Sequence, residues 1–313
     1  MKTAADHHRA ADCAGGEPDR SGNGWLHGWV RPGPRPPGGI EPGPGETLDR
    51  ICGHWRIFQY RGGHRYSLDD LLTAWYGTSA CPRAERIADL GSGIGSVALA
   101  AAWRCPGARV CTVEAQAESV RLARKSAAYN GLDGRFRLEE GDLRDPGLFA
   151  DEGPFDLVLG SPPYWAPGTH TEAAHPQTHP ARFELRGGVE DYAGAAGRLL
   201  APGGVFACVF AREGIPRVEA AFRGAGLLPL RRREVRFREG EPMGICVFAA
   251  GRQADYPSEL SRGGRFPVVE PRLTVRDRRG AFTPGMALVR LSLGFPPGPV
   301  GSGEPGGKPC DGG

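Results

Sequence analysis

Lysine is nearly missing from this 313-residue chain: three residues, so arginine carries almost all the positive charge, in part through coding bias. The eight cysteines include no C-x-x-C pair, and Cys111, Cys208 and Cys246 lie within apolar, strand-like runs where a thiol behaves as a small hydrophobe. That excludes a disulfide scaffold and points to a reducing compartment. No stretch approaches the roughly 18 apolar residues that span a bilayer, and no internal repeat occurs. Met1 to His8 has no hydrophobic core and carries an acid, so neither a signal nor a transit peptide is expected. These absences describe a soluble, cytoplasmic protein with no membrane partner. The net charge of +3 is too small to diagnose a partner by itself.

Glycine and proline, by contrast, are abundant at 49 and 29 residues, far above ordinary usage. They concentrate at the ends. Residues 1–47 peak in Arg31-Pro32-Gly33-Pro34-Arg35-Pro36-Pro37-Gly38-Gly39, and residues 296–313 are similar, so both are expected to be disordered tails with no apolar area to offset the entropy of ordering. Residues 48–295 then form one globular domain of ordinary size. Arginines crowd its C-terminal third, from Arg212 to Arg238 and from Arg262 to Arg279, a distribution that fits contact with phosphate.

Within the domain, strand-like and helix-like segments alternate. Trp55–Tyr60 is a short strand, and Ser67 caps a helix with acids in its first turn and an apolar face at Leu68, Leu71, Leu72 and Trp75. Arg86–Leu90 then runs into Gly91-Ser92-Gly93-Ile94-Gly95 and a helix from Ser96, a strand–glycine turn–helix that lets backbone approach a ligand closely. The next strand ends at Glu114, where an acid can take both hydroxyls of a ribose. A helix over Ala117–Asn130 closes at Asn130-Gly131, and a third strand at Phe136 leads to Gly141-Asp142. Asp142 can accept from an exocyclic amine, or simply cap a turn.

The buried run Phe155–Leu159 delivers Ser161-Pro162-Pro163-Tyr164. Two prolines hold the chain extended with its carbonyls aimed one way, and Tyr164 adds a flat face, a combination suited to gripping a planar group that bears an amine. Beyond it, His170, His175 and His179 occupy a polar loop. Pro176 and Pro180 break the helix that would aim the three rings at a metal, so no metal is expected and the loop is assigned to covering substrate. Further strands and helices follow at Val205–Phe210, Ile215–Phe222, Leu227–Leu230, Gly244–Ala250, Leu273–Val275 and from Pro284. The order predicts an open α/β fold: a doubly wound, mostly parallel, seven-stranded Rossmann-like sheet with helices on both faces and a ligand beyond the carboxyl ends of its strands.

Asp89-Leu90-Gly91-Ser92-Gly93-Ile94-Gly95, Glu114, Asp142 and Ser161-Pro162-Pro163-Tyr164, in that order, resemble the class I S-adenosylmethionine-dependent methyltransferases, and among them those that methylate amino nitrogens. Arg65–Leu72 upstream, with Pro271–Val275 and Phe282-Thr283 downstream, is similar to the bacterial tRNA(Val) adenine-N6 methyltransferase family. The resemblance implies that Gly91, Gly93 and Gly95 form the cofactor turn with Asp89 near the methionine moiety. It also implies that Glu114 holds the ribose, Asp142 the adenine amine, and Asp69 closes the cofactor pocket. Ser161, Pro162, Pro163 and Tyr164 would hold the target base as the catalytic loop. The implied substrate is RNA, tRNA above all. The family has Asn where this chain has Ser161, a residue found at that place in DNA cytosine-N4 methyltransferases. The alternatives are therefore a protein glutamine-N5 methyltransferase, a DNA cytosine-N4 or adenine-N6 methyltransferase, and a catalytically silent cofactor-binding scaffold.

Overall fold

The computed structural model describes residues 29–164, 184–258 and 266–300. A hairpin of β1 (Glu46–Arg50) and β2 (Arg56–Tyr60) precedes α1 (Leu68–Ala80). The sheet then builds through β3 (Arg86–Leu90), α2 (Ser96–Arg104), β4 (Arg109–Glu114), α3 (Ala117–Tyr129), β5 (Phe136–Glu140) and β6 (Phe155–Gly160). Its second half is α4 (Val189–Leu199), β7 (Leu200–Ala211), α5 (Ile215–Gly224), β8 (Leu227–Arg238) and β9 (Ile245–Arg252). Two short strands, β10 (Val268–Val269) and β11 (Leu273–Arg276), and the helix α6 (Pro284–Ser292) complete it.

Seven principal strands, mostly parallel as expected, run in the order β5-β4-β3-β6-β7-β9-β8, and β10 and β11 extend the sheet by pairing with β8. Only β9 is reversed: it lies antiparallel to both β7 and β8. Strands buried on both faces are near-continuous apolar runs, and their period of two splits them residue by residue. Leu157 and Leu159 of β6, Val205, Ala207 and Val209 of β7 and Ile245, Val247 and Ala249 of β9 join the core under α1, α2 and α6. The alternate residues Val158, Phe206, Cys208, Phe210, Cys246 and Phe248 join the core under α4 and α5.

The hairpin is docked on α3 by side chains that replace missing strand partners. Asn130, which also caps α3, accepts from the Arg56 N–H at 3.0 Å and donates to the Arg56 carbonyl at 2.7 Å. The Ser126 hydroxyl accepts from the Phe58 N–H at 2.9 Å. Glu46 is buried, and burial alone would raise its pKa. Lys125 at 2.6 Å, the Gly43 N–H and Arg121 at 2.7 Å together hold it at about 2.

Parts of both segments expected to be tails lie against the domain. Residues 29–45 contain no helix or strand yet lie against the domain: Arg31 donates to the Gly53 carbonyl at 3.1 Å, the Gly38 N–H to the Tyr129 carbonyl at 3.1 Å, and Gly33 meets the Trp103 ring. Glu46 and Thr47 are already strand. At the other end, the Phe282 N–H donates to the Pro299 carbonyl at 2.8 Å and Arg290 to the Pro296 carbonyl at 2.9 Å. Proline-rich chain still offers carbonyls and ring faces, and here aromatic and arginine side chains take them up. Residues 1–28 and 301–313 lie outside the described residues.

Candidate functional site

Register brings four chain exits level. Leu90 pairs with both Val113 and Gly160, and Glu114 with Glu140, so Gly91, Glu114, Gly141 and Ser161 leave the sheet side by side. The order reverses between β3 and β6, the place where an open sheet parts to admit a ligand. Here lies a cavity of about 620 Å³, lined by Asp69, Gly91, Gly93, Glu114, Asp142 and Ser161–Tyr164, among others. That size suits a small molecule.

The three glycines of the turn are all in the left-handed region, at φ 58°, 54° and 84° for Gly91, Gly93 and Gly95, yet each serves a different neighbour. A Cβ on Gly91 would overlap the Tyr192 hydroxyl, and one on Gly95 would press on Ala123 of α3. A Cβ on Gly93 would meet no atom within 4 Å, so of the two cavity-lining glycines of the turn, Gly91 and Gly93, this one has open space above it. Glu114 fixes the turn from the next strand, its two oxygens accepting from the Gly93 N–H at 3.0 Å and the Gln116 N–H at 2.7 Å. Each oxygen keeps a lone pair for a further donor.

The predicted acids do not all reach the cavity wall. Asp89 lies behind the turn, 1% exposed, with one oxygen accepting from the Ala98 N–H of α2 at 3.0 Å and the other without a partner. It and Gly95 are absent from the lining and act on the turn from behind. Burial, and then the charge of Asp70, raises the Asp89 pKa well above the usual carboxylate range. Asp142 is at the rim, gripped by Arg144 at 2.6 Å, whose hydrogen bonds lower its pKa. Asp69 accepts from the Tyr164 hydroxyl at 2.7 Å. Burial raises the Asp69 pKa, and the Tyr164 bond opposes that rise. So Asp69 fastens the Ser161–Tyr164 loop to α1.

The Tyr164 ring differs from the free face expected of it. Its edge meets Phe210 at a centroid distance of 5.3 Å and 68°, and burial with the Asp69 charge raises its pKa well above the usual phenol value, so it stays a donor. Ser161 lines the cavity, and its hydroxyl makes no hydrogen bond to another described residue.

Two contributors escape a sequence reading. Asp70 closes a capping box with Ser67 at 3.0 Å and accepts from the Ser96 hydroxyl at 3.0 Å, tying the start of α1 to the start of α2. The S-x-x-D spacing at Ser67 carries the signal for the cap but not for the long-range bond. Tyr192 of α4 lies under both Gly91 and Gly160, and no local pattern marks it. Three of the β8 arginines are ion-paired: Arg231 and Arg233 share Glu270 at 3.1 and 2.9 Å, and Arg232 meets Glu219, while the buried Arg236 Nε has no hydrogen-bond partner among the described residues. Among the described residues no group of three or more His, Cys, Asp or Glu is placed to hold a metal, and no helix is long and apolar enough to cross a membrane. His170, His175 and His179 lie outside the described residues. The six described cysteines are free thiols.

Comparison with known proteins agrees with this geometry. Residues 72–190 match the family model described as the methyltransferase small domain. The release factor glutamine methyltransferase of Caulobacter vibrioides is 35% identical over 151 residues, 46% of this chain and 51% of that protein. The 4-amino-L-phenylalanine/4-methylamino-L-phenylalanine methyltransferase of Streptomyces pristinaespiralis is 32% identical over 58% of this chain and 66% of its own. The tRNA1(Val) (adenine(37)-N6)-methyltransferase of Phocaeicola vulgatus is 33% identical over 46% and 58%. The chain thus spans about half to two thirds of the length of these relatives. The crystal structure of a predicted O-methyltransferase, Atu636 of Agrobacterium tumefaciens, superposes with a TM-score of 0.54 at 22% identity, covering 73% of this chain and 98% of that one, a likeness of fold.

Proposed function

Residues 72–190 being a methyltransferase small domain on a class I methyltransferase fold, we propose that the chain transfers methyl from S-adenosylmethionine to the exocyclic amino nitrogen of a base in RNA, adenine N6 of a tRNA. The observation that carries this is the convergence of the four strand exits on one cavity, with Gly93 open on one side and the Ser161 hydroxyl open on the other. The residues fit the cofactor. Glu114 has a spare lone pair on each oxygen for two vicinal ribose hydroxyls, Asp142 lies at the rim for an adenine amine, and the open face of Gly93 admits close approach. When bound, the cofactor supplies a methyl group made electrophilic by its sulfonium.

The chain's own task is to make an aryl amine a better nucleophile. Such a nitrogen is sluggish because its lone pair is spread into the ring. With Ser161 Oγ and the Pro162 carbonyl each accepting one N–H, the lone pair localises and faces the donor side of the cavity. The nitrogen gains a methyl and loses one proton afterwards, so no strong base is required beforehand. Positioning and placed dipoles carry the catalysis. The base leaves its stack to reach the site and lies against Tyr164.

A second reading has a specific support: the similarity to release factor glutamine methyltransferases, since an amide presents the same NH2 on a planar carbon. Labelled S-adenosylmethionine incubated separately with tRNA, rRNA, DNA, protein and 4-amino-L-phenylalanine separates them. Label recovered as N6-methyladenosine from tRNA supports the proposal, and label in glutamine of protein replaces it with the second reading. Label in the free amino acid or in DNA alone overturns both. No label in any pool, with cofactor bound, leaves the silent scaffold.

A further inference from the structure

A second groove of about 620 Å³ adjoins the catalytic cavity, and the linings share Arg65 and Ser67. Leu48, Leu68 and Leu71 line it beside Tyr66, with Arg50, Arg56 and Arg65 around them. Its one acid, Asp49, is already engaged by Thr47 at 2.5 Å, Gln59 at 2.9 Å and Arg65 at 2.9 Å. The groove is therefore cationic, partly apolar and continuous with the place where a base would be held.

The arginines are arranged against the interest of the hairpin. Arg50 and Arg56 are direct cross-strand partners, and like charges directly opposite each other destabilise a strand pair. The Arg56 guanidinium is partly buried and makes no hydrogen bond or ion pair among the described residues. Burial, and then Arg50 and Arg31, lower its pKa, against opposing effects of Tyr129 and Asp49. The His54 ring nearby is lowered by burial and by Arg35, Arg31 and Arg56, so further cations crowd the same end of the hairpin. On β8, by comparison, Arg231, Arg232 and Arg233 each reach a carboxylate.

We propose that Arg56, with Arg50 opposite it, holds a phosphodiester of a single-stranded nucleic-acid segment whose target base enters the catalytic cavity. The inference rests on the amino-methylation reading for what occupies the cavity, and it adds how the flanking strand is gripped. A nucleotide next to the target would set its phosphate on the arginine pair and its ring against Tyr66 and the leucines, while Arg65 spans the junction.

The test needs no methyl transfer, so it stands apart from the fate of that reading. Fluorescence anisotropy measures binding of the full chain to short labelled single-stranded RNA and DNA oligonucleotides across a potassium chloride series. Arg56→Gln and Arg50→Gln should each weaken binding several-fold and reduce the slope of log K against log salt by about 0.7, with S-adenosylmethionine affinity unchanged. Because each substitution removes like-charge repulsion, the thermal midpoint should hold or rise while binding falls. Arg56→Lys should keep most of the slope. Equal losses on RNA and DNA support a phosphodiester from either source, and losses confined to RNA assign it to RNA. Unchanged affinity and slope in both Gln variants would overturn the proposal. So would a midpoint that falls with affinity without rescue by lysine, or a wild-type chain that binds neither oligonucleotide.

Discussion

The donor and acceptor halves of the cavity are built on different terms. On the donor side the glycine turn is held from three directions: Glu114 takes the Gly93 N–H, the Ser92 N–H donates to the Val113 carbonyl at 3.0 Å, and Asp70 bonds Ser96 at the head of α2. On the acceptor side, the Ser161–Tyr164 side chains make one hydrogen bond among the described residues, Tyr164 to Asp69, supported by an edge-to-face ring contact with Phe210. On the proposal above, the half that receives S-adenosylmethionine is fixed by register, main chain and the carboxylates of Glu114 and Asp70. The half that would receive the amine is fixed by fewer contacts, so a single substitution there should change what is accepted without disturbing the sheet.

Crossing two truncations gives the largest effect. Tyr164→Ala should lower the transfer rate by about 10³-fold, the loss that goes with mispositioning a reacting group, while S-adenosylmethionine affinity stays close to wild type. Glu114→Ala should do the reverse, weakening cofactor binding by about 10²-fold because two main-chain donors lose their acceptor along with the ribose contact. Isothermal titration of the cofactor and single-turnover transfer on the accepted substrate read the two separately. If both variants lose both properties in proportion, the halves are one unit and the contrast fails.

The glycine turn gives the next effect, read as stability. Gly91→Ala combines a left-handed backbone with overlap onto Tyr192 and should cost about 3 kcal/mol or more in urea unfolding. Gly93→Ala carries the same backbone strain with nothing to strike, so about 1–2 kcal/mol is expected. Its cofactor affinity should nevertheless fall further than its stability implies, since the new methyl enters the cavity. Equal unfolding costs would mean that Tyr192 yields freely and the turn is softer than its contacts indicate.

A smaller effect is confined to pH. Asp89 is raised in the folded state by burial, with Asp70 adding to it. The stability it contributes is therefore complete below its unfolded value near 3.8 and is lost as pH rises through the folded value. Asp89→Asn can keep the Ala98 bond and cannot ionise, so as pH rises above 3.8 its urea midpoint should fall less than that of the wild type. Glu46, held at about 2, acts in the opposite sense: its stability is present above its unfolded value of 4.5 and is lost as pH falls toward 2. A wild type and an Asp89→Asn variant with parallel pH profiles would show that Asp89 is ionised without penalty.

These contrasts also explain what the sequence could reveal. The donor half was legible because its chemistry follows strand ends: Arg86–Leu90 leads to glycines, and β4 ends at Glu114. The open α/β class followed from alternation, and the register of β3 against β6 places Ser161 beside Gly91. What escaped was long-range. Asp70 is an ordinary helix cap until α2 brings Ser96 to it, and Tyr192 is one apolar position of α4 until two glycines are laid on its ring. Ion pairing is long-range in the same way: Glu270 and Glu219 reach Arg231 and Arg232 through pairings that span 39 and 13 residues. The cross-strand pairing of Arg50 with Arg56 is equally invisible in a count of charges.

The smallest expected effect tests whether Asp142 belongs to the donor half at all. Its carboxylate is held by Arg144 through side-chain and main-chain bonds two residues away, a closed local pair that needs no ligand. Both side chains are about half exposed, 44% and 50%, where such pairs contribute little to the fold. Arg144→Ala should therefore leave stability where it was, and it frees an oxygen for an amine, so S-adenosylmethionine affinity should hold or tighten by about twofold. Asp142→Ala should weaken it by about tenfold, the cost of one charge-assisted hydrogen bond. An Arg144→Ala variant that loses affinity as Asp142→Ala does would mean that the arginine orients the carboxylate toward the cavity. The rim would then be built on side-chain terms, like the acceptor loop.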